Sequence, residues 1–351
     1  MKPTQQLHEL GQSLWLDNIT RTMLDDGTLS RYIEEWSVTG LTSNPTIFDK
    51  AFREGKAYDS AIAKHKAAGI EGEALFYQLA LEDLTRAADA FKPVYEATRG
   101  VDGWVSLELS PLLSADAAAS LASAKQLHAR AKRPNLYIKI PGTPEGVQAI
   151  EDTIHAGVPV NVTLLFSREQ YLAAAEAYLR GIERRLAEGK DPKVASVASV
   201  FVSRWDVAVN EKVPPSLRNR LGIAMAGRIH EAYRELLSSP RWLRLAAAGA
   251  MPQRLLWAST GTKDKTAPDT MYIDALAAPG TVNTMPEGTL KAFADHGRAT
   301  KVLSPDAAEA EKVLAQFMAA GVDLPLLGLR LQQEGAEAFV KSWTSLLECL
   351  E

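Results

Sequence analysis

Cysteine is nearly absent: Cys349 is the single thiol in 351 residues. No internal disulfide can form, which fits a reducing compartment and leaves Cys349 as a small apolar residue. Histidine is sparse as well. His8, His65, His128, His155, His230 and His296 form neither H-x-H nor H-E-x-x-H, so no metal site is expected. No apolar run approaches the ~18 residues of a membrane span; "AAAGAM" at 246–251 stops at Pro252. The opening "MKPTQQLHELGQSLWLDN" lacks the apolar core of a signal peptide. Charge of one sign is not in excess. A formal charge of −4 gives no footprint for nucleic acid or an anionic membrane. Low-complexity linkers and repeats of about 20–50 residues are missing too. What remains is a cytoplasmic globular protein with neither nucleic acid nor membrane as partner. Its length fits two domains or one α/β barrel.

Short apolar or β-branched runs recur through the chain. They read as strands at Leu14–Asp17, Thr39–Asn44, Trp104–Leu109, Leu136–Ile140, Val158–Leu165, Val194–Ser203, Leu255–Ser259 and Thr281–Thr284. The last is poor strand material, because Asn283 and nearby Pro286 disfavour it. Helical patterns separate the runs. "EALFYQLALEDLTRAADAF" aligns Leu75, Leu79, Leu84 and Ala87, and "ADAAASLASAKQLHARAK" carries Asp116 near its start. "SREQYLAAAEAYLRGIERRLAEG" opens with Ser167 and Gln170 in capping-box spacing and reaches Gly189 as a stop. From about 335 to 350 an amphipathic helix repeats Ala336, Phe339, Val340, Trp343, Leu346, Leu347 and Leu350, a face that must dock. Eight strands alternating with helices predict an α/β fold, a (β/α)8 TIM barrel with additional helices, as one domain over 1–351. The active site then lies at the C-terminal ends of the strands.

Alternation along each strand sorts the side chains. In "LYIKI", Leu136, Ile138 and Ile140 oppose Tyr137 and Lys139; in "VSLELS", Leu107 and Leu109 oppose Ser106 and Glu108. In "LLWAST", Leu255, Trp257 and Ser259 share a face. One face is aliphatic and suits a ring of helices. The other, turned inward, brings Asp17, Thr42, Asn44, Glu108, Lys139, Asn161, Thr163 and Ser199 to one mouth. Singly, each has a structural use. Strand lysines protect edges or snorkel to water, Asp17 and Asn44 suit helix caps, and Thr163 can satisfy backbone groups. Together around one lysine they make an expensive buried polar cluster, and such clusters gather at functional sites.

A lysine inside an apolar barrel is pushed toward its neutral amine. A neutral amine attacks carbonyls and forms a Schiff base. The iminium then accepts electrons from a neighbouring C–C bond. Such chemistry needs one carboxylate to take a hydroxyl proton, a second acid–base group to serve the imine steps, and amides or hydroxyls to hold a sugar. Asp17, Glu108 with Thr163, and Asn44 with Asn161 match these needs by type.

The blocks "LWLDNITRTMLDDGTL", "VTGLTSNPTIF", "VSLELSP", "NLYIKIPGTPEG", "NVTLLFS", "ASVFVSRWD" and "TVNTMPEGTL" resemble the transaldolase family, in the family's order and over most of the chain. The resemblance implies transfer of a dihydroxyacetone unit between sugar phosphates, without metal or organic cofactor. It implies Lys139 as the Schiff-base lysine and Asp17 as the group acting on the C4 hydroxyl of the donor. Glu108 and Thr163 would manage a catalytic water. Asn44 and Asn161 would hold hydroxyls, with Thr42 and Ser199 in support and Phe201 lining the pocket. Arg204 would bind phosphate. Many members carry a second arginine two positions after the equivalent of Ser259; here that position is Gly261. Lys263 is the candidate replacement, with Ser259 beside it, although Lys263 and Lys265 equally suit a solvated turn. Two rivals stand: a Schiff-base aldolase of the same fold that releases the three-carbon unit, and a noncatalytic sugar-phosphate barrel. The sequence leaves monomer and homodimer both open.

Overall fold

A computed structural model describes residues 1–299 and 301–351. Among the described residues, eight parallel strands close into a barrel in chain order. They are β1 (Ser13–Asp17), β2 (Val38–Thr42), β3 (Trp104–Glu108), β4 (Leu136–Pro141), β5 (Val160–Leu165), β6 (Ser196–Phe201), β7 (Gln253–Ala258) and β8 (Val282–Met285). Each overlaps one expected run, and helices lie between successive strands, so this is the (β/α)8 architecture with extra helices. The last strand forms despite its polar content. β8 pairs with β1 from Ser13↔Val282 to Leu16↔Met285 and with β7 at Leu256↔Val282. Closure of the barrel outweighs local propensity there. The Asn283 side chain accepts a hydrogen bond from Thr260 Oγ1 at 3.1 Å.

The aliphatic face of β1 to β7 packs outward under the helices. Leu16, Leu41, Val105, Ile138, Val160, Val162 and Leu255 are fully buried. The helices start where the sequence offers caps. Asp116 accepts from Ala119 N, and Ser167 and Gln170 form the reciprocal capping box. Asn44 Oδ1 accepts from Ile47 N at 3.0 Å, with Pro45 at the first helical position. Gly40 shows why β2 carries glycine on its inward face. A Cβ there would stand 2.7 Å from the Trp15 indole and the Trp104 carbonyl.

One parity assignment is corrected. In β7 the inward residues are Arg254, Leu256 and Ala258. Arg254 Nη2 donates to Ser13 Oγ across the barrel at 2.6 Å, and Ala258 lines the mouth. Trp257 points outward, its ring 6.4 Å from His230 on the helix Leu221–Ser238. Ser259 still reaches the mouth, because its φ of 55° turns the chain after the strand has ended.

The C-terminal helix runs from Leu324 to Leu350, with Asp323 as its cap and Pro325 in its first turn. It lies across the strand ends. Gln332 Nε2 donates to Gly142 O at 3.0 Å and to Leu164 O at 2.9 Å. Thr46 and Arg53 of the helix Pro45–Arg53 bond to Ser342 and Ser345. Trp343 is fully buried, 5.0 Å from Phe76 in an edge-to-face contact. No single helix among the described residues is long and apolar enough to cross a membrane.

Candidate active site

The strand ends and the C-terminal helix enclose a cavity of about 300 Å³. Register builds its floor. Glu108 of β3 stands beside Lys139 of β4, and Lys139 beside Asn161 of β5. On the other side, Asp17 of β1 stands beside Thr42 of β2. Lys139 is 5% exposed and Glu108 3%. Lys139 Nζ is 3.2 Å from Glu108 Oε2 and donates to Ser43 O at 3.2 Å. Ser43 is itself fixed, since its Oγ donates to Ser106 O at 2.7 Å.

Burial pushes the Glu108 carboxyl up to about 7; Lys139 pulls it back and Asp17 adds to the rise. A carboxyl poised near neutrality can both give and take a proton. Burial also raises Asp17, opposed by Lys139, by the Thr42 hydrogen bond and by Lys263. Thr42 Oγ1 donates to Asp17 Oδ1 at 2.7 Å. With that hydrogen committed, the 2.7 Å contact between Thr42 and Thr284 has Thr284 as donor. Asp17 is thereby held by a two-hydroxyl chain from β2 and β8.

Ten of the twelve expected site residues line the cavity: Asp17, Thr42, Asn44, Lys139, Thr163, Ser199, Phe201, Arg204, Ser259 and Lys263. Glu108 and Asn161 lie behind this lining. Glu108 meets it through Lys139. Asn161 is fully buried, donating to Ser106 Oγ at 3.1 Å and accepting from Ser199 Oγ at 2.7 Å. It braces Ser199, and one amide hydrogen remains for a ligand. Asn44 spends its oxygen on the helix cap, so its amide nitrogen is the part left for the cavity. Among the described residues, Thr163 Oγ1 and both carboxyl oxygens of Glu108 are buried without a hydrogen bond, Oε2 having only its ion-pair contact with Lys139, which leaves Oε1 and Oγ1 to substrate or solvent. Thr163 is followed by Leu164 at φ 61°, where the β5–β6 register also shifts. A left-handed leucine costs ~1–2 kcal/mol, and strain of this kind concentrates at functional sites.

The rim is cationic. Arg204 is half-buried over the Phe201 ring at 5.2 Å. It forms no ion pair among the described residues, and burial lowers its basicity. Lys263 is exposed, yet its ammonium returns over Gly261: a Cβ on that glycine would lie 3.7 Å from Nζ. Ser259 Oγ meets Ser203 Oγ at 2.9 Å. Guanidinium, ammonium and hydroxyl so placed can receive an anion such as phosphate.

Four contributors escaped the sequence reading. Ser43 orients the lysine through its carbonyl. Ser106 bridges to Asn161, Thr284 supports Asp17 through Thr42, and Phe339 lies over Lys139 at 5.6 Å. Inward parity marks Ser106 and Thr284; no local signal marks the other two. Among the described residues, no group of three His, Cys, Asp or Glu is placed to hold a metal ion.

A family model described as Transaldolase/Fructose-6-phosphate aldolase matches residues 14–350. Proteins named transaldolase are similar over nearly the whole chain. That of Thermobifida fusca is 45% identical, covering 99% of this chain and 96% of its own length. That of Arthrobacter sp. (strain FB24) is 44% identical with the same coverage. That of Thiobacillus denitrificans is 41% identical, covering 99% of each.

Proposed function

The chain belongs to the transaldolase/fructose-6-phosphate aldolase family, and from that premise we propose that it works as a transaldolase through a Schiff base on Lys139. Its substrates are sugar phosphates: sedoheptulose 7-phosphate or fructose 6-phosphate as donor, glyceraldehyde 3-phosphate or erythrose 4-phosphate as acceptor. Its place is the non-oxidative pentose phosphate pathway. The observation that carries the residue assignment is the Lys139–Glu108 pair, 3.2 Å apart at the base of a cavity whose rim cations form no ion pair among the described residues.

Lys139 attacks the ketose carbonyl, water leaves, and an iminium forms. Glu108, titrating near 7, gives and takes the protons of these steps, with the Thr163 hydroxyl holding the water. Asp17 takes the proton of the C4 hydroxyl as the C3–C4 bond breaks. The aldose phosphate leaves and the enamine stays on Lys139. Its carbon then attacks the acceptor aldehyde, and the steps run backward to release the new ketose phosphate. Asn44, Ser199 and the remaining amide hydrogen of Asn161 hold hydroxyls of the three-carbon unit. Arg204, Ser259 and Lys263 hold phosphate. The same reading keeps one barrel domain, a cytoplasmic location, and a monomer or homodimer.

The test is an assay of fructose 6-phosphate with and without erythrose 4-phosphate, followed by borohydride trapping and peptide mapping. Sedoheptulose 7-phosphate forms only with acceptor, and the adduct maps to Lys139. An adduct on another lysine overturns the assignment of Lys139. Three-carbon release at the same rate with or without acceptor favours the aldolase instead.

A further inference from the structure

Among the groups around Lys139, Phe339 has no part in the steps above. It belongs to the C-terminal helix, not to the barrel, yet its ring face stands 5.6 Å from the Lys139 nitrogen and lines the cavity. It is 7% exposed.

Its position is fixed from both sides along one helix face. Seven residues earlier, Gln332 ties the helix to the ends of β4 and β5. Four residues earlier, Gly335 lets the helix settle closely. A Cβ there would come within 2.9 Å of Leu164 Cδ2 and 3.2 Å of Arg204 Nη1. Four residues later, Trp343 locks into the aromatic cluster with Phe76 and Tyr77. These spacings share one stripe of a helix. The ring over Lys139 is therefore held by the docking of the whole helix, not by a mobile loop.

The enamine on Lys139 has two fates. In transfer, the electron pair of its carbon closes on the acceptor's aldehyde carbon, and the aldehyde oxygen takes a proton. In release, the same carbon takes a proton from water. A second water then adds to the iminium, dihydroxyacetone leaves, and Lys139 regains its amine. Both start from one intermediate and differ in what its carbon meets first, an aldehyde or a proton from bulk water. An aromatic face over the nitrogen keeps bulk water from that side of the intermediate, while the single water held by Thr163 remains for the imine steps.

We propose that Phe339 sets this partition, holding the enamine for an acceptor aldehyde and withholding it from water. The proposal rests on the assignment of Lys139 as the Schiff-base residue.

The experiment compares wild type with Phe339→Ala, Phe339→Val and the bulk-preserving Phe339→Leu. Dihydroxyacetone release is measured from fructose 6-phosphate alone, and sedoheptulose 7-phosphate formation with erythrose 4-phosphate. The ratio of release to transfer is expected to rise about tenfold or more in Phe339→Ala, less in Phe339→Val, and to stay within about threefold of wild type in Phe339→Leu. A structural role alone lowers both rates together and leaves the ratio flat, which overturns the proposal. Should Phe339→Ala not fold, Phe339→Val carries the same decision. A borohydride adduct on Lys139 with a flat ratio removes this inference only; no adduct on Lys139 in wild type removes the Schiff-base assignment with it.

Discussion

Where the strands begin, the inward polar groups are answered by the protein; where they finish, several are not. At the first end, Arg254 donates to Gly280 O, Val101 O, Thr281 O and Ser13 Oγ. Trp15 Nε1 donates to Asp102 at 2.8 Å, and Trp104 stacks on Tyr137 at 4.1 Å. At the other end, Glu108 Oε1 and Thr163 Oγ1 have no partner, and Arg204 has no ion pair among the described residues. Both ends come from the same strands and the same alternation. The difference teaches that burial of polar side chains does not mark a site. Nor does a missing partner alone mark one, since Gln12 Oε1 and Gln253 Oε1 near the first end also lack one; the site is where unpartnered groups, a buried lysine and a cavity coincide.

The comparison breaks most readily at Asp17. Asp17→Asn keeps the Thr42 hydrogen bond and the shape but loses the base. Borohydride trapping on Lys139 is expected to persist while turnover falls about 10³-fold. Loss of trapping together with turnover would make Asp17 a structural group, like its counterparts at the first end.

Glu108 separates the ends by pH. Its carboxyl titrates near 7 in the fold, against an ordinary 4.5. Folding takes up a proton across that window, so this group's contribution to stability is fullest below 4.5 and is lost as pH rises through about 7. In Glu108→Gln that decline should vanish from urea midpoints measured between pH 4.5 and about 8, and turnover should fall about 10²-fold with the limb near pH 7 gone. A wild-type midpoint flat over the window would contradict the raised carboxyl.

Arg254→Met tests the saturated end. It strands the Val101 carbonyl and the Ser13 hydroxyl, while Thr281 O keeps Ser13 N and Gly280 O keeps the Tyr233 hydroxyl, for an expected loss of about 3 kcal/mol in chemical unfolding. Trapping on Lys139 and the pH profile of turnover should stay as in wild type. A shifted pH profile would mean that the two ends are coupled.

How far each end was legible in sequence follows from the range of the signals. Alternation is local, so the eight strands and the inward groups Asp17, Glu108, Lys139 and Asn161 could be read directly. In β7 alternation misleads, because Ser259 lies beyond the strand at positive φ. That also hides Arg254 as an inward residue. Ser43 acts through a carbonyl that any residue supplies. Phe339 depends on where a helix some 200 residues from Lys139 comes to rest, and its own periodicity says only that it docks.

The smallest effect belongs to the rim, where Lys263 is the proposed phosphate cation. Lys263 stands over Gly261, where the family resemblance places an arginine, and the space is tight: a Cβ on Gly261 meets Pro286 Cγ at 3.2 Å and Thr289 Oγ1 at 3.4 Å, so a side chain there needs Pro286 to give by a few tenths of an ångström. Lys263→Ala should raise KM about threefold for fructose 6-phosphate and leave unphosphorylated fructose unaffected, because an exposed ammonium is screened and makes no two-pronged contact. Adding Gly261→Arg to Lys263→Ala should restore the lost discrimination. A guanidinium started from that glycine occupies the space of the ammonium, with a planar fork for phosphate. Equal KM changes for the two sugars would return Lys263 to the solvated turn, and a failure of Gly261→Arg to rescue would separate this rim from the family's usual one.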